Sequence, residues 1–568
     1  MEEIIQIARD CYNEAESNLK DLMTEMWTDT EYVLGNQWKE EDINKLIEEG
    51  RPPLTINVLH KIIATISGME KQNRADIRFF PQEGSDEKIV YPWTQLVKWI
   101  LSNAGADIKR SYAFEDMLRS GIGYIVPEVR YDKDPINGDI VLTTESPFNI
   151  LFDPHITEPT GEDAEYMIRH KRVIKSRLKL AYPEMRKKID DLATSGQERF
   201  VINKQDIRNE RDQYVNVVEF WRREYEEKEF MIKDGMFVEF GGDSEMRDML
   251  KSDGMDFIKR SVPTIKLTII ADWEIILYDG DHPHGVDMYP FIPIFCYFTP
   301  SYDKWELKIQ GMARQLRDIQ NEKNKRRSQM LHQTNTSTRG GWMFEEGAVE
   351  DLSTFEQSAG SGVVIQYRYG KKPDRIEPPR TDSGMIQAEQ MNDNDLLMAG
   401  PNPDLLGYSN DKGAPGITVR LRQKQGVAYL QGVFDNHSES NKHLARYVQK
   451  LAMENFGQAK IQRILGSEVI LPPDFMERSR EIRYDATIDE SFSSPTNRIA
   501  MLESMKQMQQ YGIPVPPQMF VDMWDLSPEL KKKYSDMLAQ ANQQEMQKTQ
   551  MRGGSGQPPT TPPTGIQM

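Results

Sequence analysis

Apolar positions recur at three- and four-residue intervals from the start of the chain: Ile4, Ile7, Ala8, Cys11, Ala15, Leu19, Leu22 and Met26. That period predicts a helix over residues 2–33. Gly50-Arg51-Pro52-Pro53 then breaks the chain. Asn57 stands where an N-cap is expected before a second helix, whose Val58, Leu59, Ile62, Ile63, Ile66 and Met69 form a broad apolar stripe. From Gly121 to about residue 300 the texture changes. Short β-rich runs such as Tyr124-Ile125-Val126 and Asp139-Ile140-Val141-Leu142 alternate with Asp, Pro, Asn and Gly clusters that have turn chemistry. Val215 to Tyr225 and Thr264 to Tyr278 continue this pattern, and a helical stretch after Lys175 interrupts it.

Residues 305–333 return to a helical period. Trp305, Ile309, Met312, Leu316 and Ile319 are spaced four, three, four and three, which predicts a seam packed on another helix. The run from Gln320 to Gln329 is polar on every side, which suits a helix that bridges through solvent or faces polar surfaces in an assembly. Residues 334–379 hold two strand-like runs, Trp342-Met343-Phe344 and Gly362 to Tyr367, among Gly and Pro. A short helix is expected at 383–398, a breaker-rich loop at 399–416, and a long helix to about Phe456 with Val427, Leu430, Phe434, Leu444, Val448 and Leu451 on one stripe. Helices rich in Met and Gln are expected near 496–511 and 528–547, and the Gly/Pro/Thr-rich tail 549–568 is expected to be disordered. The chain as a whole predicts an α+β fold, mainly helical.

Charge sharpens the picture. The chain carries 89 acidic and 71 basic side chains, a formal charge of −18. A dedicated duplex-DNA binder is normally basic, because phosphate neutralisation supplies most of its affinity. Static grip on nucleic acid by the whole surface is thus excluded, while sliding contact is not. Residues 305–333 depart from this balance, with seven Lys/Arg against three Asp/Glu. Two cysteines, Cys11 and Cys296, offer neither a disulfide framework nor a zinc cluster, which suits a reducing cytoplasm. The acidic N-terminus does not look like a signal peptide, and no apolar run is long enough to span a membrane.

Candidate chemistry is sparse. Gly370-Lys371-Lys372 lacks the upstream glycine and the hydroxyl residue of a phosphate-binding loop, and neither GxSxG nor HExxH occurs. Asp279-Gly280-Asp281-His282-Pro283-His284, with Asp287 nearby, is the best metal candidate, and a turn is its simpler reading. No nucleophile, base and orienter converge, so no catalytic residue, metal or cofactor is expected.

Four segments carry a resemblance. Gly311, Arg314, Asp318, Gln320, Asn324 and Ser328 match a G-x-x-R-x-x-x-D-x-Q-x-x-x-N-x-x-x-S pattern, and Pro403 to Gly407 is followed by Gly416 to Gly426. Tyr484 to Glu490 and Arg51 to Asn57 complete the set. Taken in chain order they resemble the portal proteins of short-tailed bacteriophages, although Ala414-Pro415-Gly416 stands where a Ser-Gly pair is more usual.

The resemblance implies a ring of twelve subunits at one capsid vertex of the virion, through which double-stranded DNA passes during packaging, retention and ejection. It implies an α/β wing within 1–304, a stem helix at 305–333, a clip at 334–379, a second stem helix at 380–398 and a channel loop at 399–416. A long wing helix and return strand at 417–495 and a compact helical crown at 496–548 follow. Expected partners are the terminase packaging motor, a tail adaptor, capsid and scaffolding proteins, with no membrane. DNA-channel candidates are Lys323, Lys325, Arg326 and Arg327, with Asn402, Asp404, Tyr408, Asn410 and Lys412 in the loop. Trp342, Phe344, Tyr367 and Tyr369 are candidates for partner binding at the clip. Trp305, Ile309, Met312, Leu316 and Ile319 are expected to pack the stem. A structural adaptor or scaffold component of another assembly, with no DNA passage, is the competing class, and a DNA-processing enzyme is a third.

Overall fold

The computed structural model describes residues 2–72, 76–81, 87–192, 214–233, 236–240, 244–252, 255–338, 342–343, 345–348, 367–372, 374–375, 383–400 and 416–466, together with 484–489 and short pieces between 471 and 537. The chain forms two compact units, residues 1–68 with 79–486, and residues 69–78 with 487–568. The larger is a mixed α/β body.

Helix α1 (Glu2–Leu34) follows the apolar period and buries Ala8, Tyr12, Ala15, Leu19, Leu22, Met23 and Met26. After α2 (Glu40–Glu48), Asn57 caps α3 (Val58–Gln72) by accepting a bond from the His60 amide at 3.1 Å. Strand β1 (Asp76–Pro81) leads to α4 (Glu87–Asn103) and α5 (Ala106–Ser120). Next come β2 (Ile122–Arg130) and β3 (Asp139–Glu145), then β4 (Ile150–Phe152) and β5 (Tyr166–Ile174). Helices α6 (Lys175–Ala181) and α7 (Arg186–Asp191) interrupt the strands as the pattern predicts.

A long antiparallel arm follows: β6 (Tyr214–Lys233), β7 (Met236–Glu239), α8 (Ser244–Ser252) and β8 (Asp256–Ala271). The β-rich run Thr264 to Tyr278 spans the end of β8, a tight turn with Asp272 and Trp273 at positive φ, and the start of β9 (Ile275–Asp281). The main sheet runs β4-β5-β6-β8-β9 with β7 beside β6, and a second sheet runs β10-β2-β3, where β10 is Ile292–Phe295. One core joins α1 to both sheets through Leu19, Leu22, Tyr124, Ile168, Phe220 and Phe291. Burying side chains of this size contributes about 1.5–3 kcal/mol each.

The helix expected over 305–333 is interrupted. Trp305–Lys308 forms a single turn, α9, and Ile309–Gln310 is strand β12, paired with β11 (Tyr297–Phe298). Helix α10 begins at Met312 and runs to Thr338. The cause is a close backbone crossing: a Cβ on Gly311 would stand 2.7 Å from the Arg119 carbonyl oxygen, and one on Gly121, at φ +96°, 2.9 Å from the Gly311 nitrogen. Only a pair of glycines permits that approach. Short strands β13 (Trp342–Met343) and β14 (Asp374–Arg375) pair, and α11 (Ser383–Ala399) lies along α10. The 40-residue α12 (Gly416–Asn455) and α13 (Gln458–Leu465) follow, with β15 at Tyr484–Asp489. Leu430, Leu444, Tyr447, Val448 and Leu451 of α12 are buried. Among the described residues no helix is long and apolar enough to cross a membrane.

Candidate functional site

Helix α10 carries all four candidate channel cations and three of the five expected stem residues, and its surroundings explain their chemistry. Of the five residues of the expected seam, Trp305, Ile309, Met312 and Leu316 are buried within the single subunit and Ile319 is half-buried. Trp305 meets Phe152 edge to face at 5.3 Å between ring centroids. Their burial needs no second chain.

The first turns of α10 are anchored by ion pairs to α1. Arg314 donates through Nε to Asp29 Oδ2 at 2.6 Å and through Nη1 to the Glu306 carbonyl at 2.8 Å. Arg317 reaches Glu25 at 2.6 Å and Asp29 Oδ1 at 3.3 Å. Asp29 is fully buried, and burial pushes its carboxyl up to about 6, with Arg314 and then Arg317 pulling the other way. The two guanidiniums thus limit a desolvation penalty that otherwise favours the neutral acid.

The polar half of α10 does not bridge through solvent. Gln320, Asn324 and Ser328 are all but fully buried, and their four-residue spacing sets them on one stripe. That stripe holds the backbone of the Pro-rich segment before α3. Gln320 accepts from the Val58 amide at 3.2 Å and donates to the Ile56 carbonyl at 2.7 Å. Asn324 accepts from the Ile56 amide at 3.0 Å and donates to Gln37 Oε1 at 2.6 Å, while Ser328 donates to the Pro52 carbonyl at 2.7 Å. The segment Arg51–Asn57 and the α10 pattern, two of the stretches that carry the sequence resemblance, are therefore bound to each other. A Pro-rich strand lacks neighbours for its peptide groups, and buried peptide groups must find partners.

Of the four expected channel cations, three are tied to acids of the same chain. Lys323 is buried and pairs with Asp393 and, at 3.9 Å, with Glu389. Arg327 pairs with Glu389 at 2.7 Å, and Arg326 with Glu322 one turn back. Lys325 is exposed. It shares a shallow groove of about 460 Å³ along the free face of α10 with Asp318, Asn321, Glu322, Arg326 and Gln329. This free face mixes signs.

Asn402, Asp404, Tyr408, Asn410 and Lys412 lie outside the described residues, as do Phe344 and the run Gly362–Gln366. At the expected clip, Trp342 lies in register with Arg375 across β13 and β14, and Tyr367 and Tyr369 are exposed. The Asp279–His284 stretch ends β9 and turns. His282 is buried, with Nε2 3.1 Å from Tyr447 OH and Nδ1 accepting from the His284 amide, while Asp287 pairs with Lys450. Among the described residues no cluster of three His, Cys, Asp or Glu is placed to hold a metal.

Sequence reasoning missed the partners: Asp29, Gln37, Glu389 and Asp393. The amides and hydroxyl recurring every four residues at 320, 324 and 328 were the available signal, since a polar stripe at helical spacing is as good a mark of burial as an apolar one once peptide groups await partners.

Comparison with known proteins accords with this arrangement. The chain is similar to the portal protein of Helicobacter pylori bacteriophage KHP30, 20% identical over 444 residues, which cover 77% of this chain and 64% of that protein. It therefore spans about two thirds of the length of that relative. Residues 9–561 match the family of phage P22-like portal proteins, so the glycine crossing, the α10 stripe and the α/β body are those of a chain that belongs to that family.

Proposed function

We propose that this chain forms a ring-shaped portal, of the short-tailed-phage type and with twelve copies, at one vertex of a phage capsid, and that double-stranded DNA passes through it in packaging, retention and ejection. The observation that carries this reading is the family match from residue 9 to residue 561. Helices α10 and α11 form the stem, residues 334–379 between them the clip, and residues 399–416 a loop in the channel. Residues 1–304 supply the wing, 417–495 its long helix and return strand, and 496–548 a crown.

The chemistry of α10 suits such a role. Its cations are largely spent inside the subunit on Asp29, Glu389, Asp393 and Glu322. A free face of mixed sign gives phosphates no strong grip, so DNA slides rather than stalls. The exposed Tyr367 and Tyr369 offer the clip to the terminase motor and later to a tail adaptor.

Electron microscopy of the purified chain tests the proposal. Rings with a central hole are expected. A monomer with divalent-dependent nuclease activity overturns it in favour of a DNA-processing enzyme, and closed assemblies without a hole point to a structural adaptor.

A further inference from the structure

The strongest local excess of positive charge lies away from α10. Residues 169–192 hold nine Lys/Arg against three Asp/Glu, in a chain whose total is −18. The structure divides these nine cations into two groups. Arg169 is buried against Glu219, Glu128 and Glu145, and Lys171 lies 3.7 Å from Glu145. Lys175 is buried and donates to the Asp190 and Leu192 carbonyls at 2.9 and 3.0 Å, and Lys179 pairs with Asp190. These four build the module.

The other five, Arg172, Arg177, Arg186, Lys187 and Lys188, are exposed. Arg186 spends its Nε on the Lys179 carbonyl at 3.3 Å. Among the described residues Arg172, Arg177, Lys187 and Lys188 have no carboxylate partner. The underside of the module is apolar and fixed: Leu178, Ile189 and Leu192 pack on Val215, Val217, Ala271 and Leu277 of the main sheet. A rigid base therefore presents unpaired cations outward.

The chemistry of the outer surface selects among acidic partners. Protein–protein interfaces are depleted in Lys and centred on aromatic or other apolar anchors. Here Lys187 and Lys188 are part of the patch, and among the described residues Leu180 is its one exposed large apolar side chain. Arg and Lys without an apolar anchor match the phosphate backbone, which is contacted by charge and carries no sequence information.

We propose that the end of β5 together with α6 and α7 forms a second DNA-contact surface, separate from α10, that holds duplex DNA by its phosphates without reading sequence. The proposal rests on the portal reading for the presence of DNA, but the contact itself does not require a channel.

The test is binding of a labelled 30-base-pair duplex of arbitrary sequence to the purified full chain, followed by fluorescence anisotropy between 50 and 200 mM salt. Three phosphate contacts weaken binding about 40-fold over that range. The variant Arg177→Gln/Lys187→Gln/Lys188→Gln should bind more weakly, and its slope of log affinity against log salt should flatten by about 2.7. Lys20→Gln on α1, an exposed cation outside both cationic stretches, should leave this binding unchanged. Wild-type affinity and slope in the triple variant, absence of duplex binding by the unmodified chain, or stronger displacement by polyglutamate than by unlabelled DNA overturns the proposal, the last in favour of an acidic protein partner. The two readings fail separately. Loss of rings with module binding intact removes the portal reading alone, and rings that hold DNA while the triple variant binds as wild type remove this one alone.

Discussion

Two cationic stretches of this chain have opposite fates. Residues 305–333 carry seven Lys/Arg and residues 169–192 carry nine, each against three acids. On α10 four of six cations, Arg314, Arg317, Lys323 and Arg327, turn to a fully buried aspartate on α1 and to Glu389 and Asp393 on α11. On the end of β5, α6 and α7 five of them face water. The difference follows from what each helix packs against. Helix α10 is enclosed by α1, the Pro-rich segment and α11, all of which bring carboxylates or peptide groups. The module of α6 and α7 lies on the sheet by one apolar face, and among the described residues no carboxylate meets Arg172, Arg177, Lys187 or Lys188 on its outer side. Composition reports an excess of charge, and only packing decides whether that charge is structural or available.

The sharpest way to break the comparison is to remove an inward cation. Arg314→Leu leaves Asp29 buried with only Arg317 beside it, and breaking a buried pair from one side costs about 3–5 kcal/mol. Urea unfolding at pH 7 should show a loss of that size. The sign with pH is fixed. Asp29 already sits at about 6, raised by burial, and losing Arg314 raises it further. A folded-state carboxyl with a raised value binds more protons than the unfolded chain, so the deficit against the unmodified chain is largest above the variant's value and is lost as pH falls below about 6, where Asp29 takes up its proton in both. A deficit that does not change between pH 7 and pH 4.5 would show that Asp29 is not the cause.

A smaller effect is expected along the stripe. Asn324→Ala removes the acceptor for the Ile56 amide and the donor to Gln37, leaving buried groups unsatisfied at about 1–3 kcal/mol. The matched change Lys325→Ala, one residue on and exposed, should stay within about 0.5 kcal/mol. Equal losses at the two positions would contradict a buried Asn324. Hydrogen exchange of the Ile56 amide should rise in the first variant and not in the second.

Much of the fold was legible because periodicity reports burial. The limits of α1 and α3 and the end of α12 follow their apolar stripes, and the strand-rich middle follows its turn residues. The break at 309–311 was not legible, because Trp305, Ile309, Met312 and Leu316 keep a helical period straight through it. The reason lies in Gly121, nearly two hundred residues away, which meets Gly311 backbone to backbone. The neighbour of the polar half of α10 was not legible for a related reason: its polarity predicts solvent or the polar surface of an assembly, whereas Gln320, Asn324 and Ser328 serve a distant backbone segment of the same chain. The loop residues 402–412 fall outside the described structure, and their reading rests on composition alone.

The smallest effect tests the outward half of the comparison. Arg177, Lys187 and Lys188 touch no carboxylate among the described residues, and the apolar base of their module is formed by Leu178, Ile189 and Leu192. Replacing the three cations by Gln removes charge but no packing, so thermal unfolding should move by no more than each exposed substitution ordinarily allows, within about 0.5 kcal/mol. A slight gain is the expected direction, because three like charges on two short neighbouring helices repel one another and salt weakens that repulsion. The gain should therefore be largest at low ionic strength and vanish near 0.5 M salt. A loss of a kcal/mol or more, independent of salt, would mean that these side chains are held by contacts within the subunit, and the two cationic stretches would then share one fate.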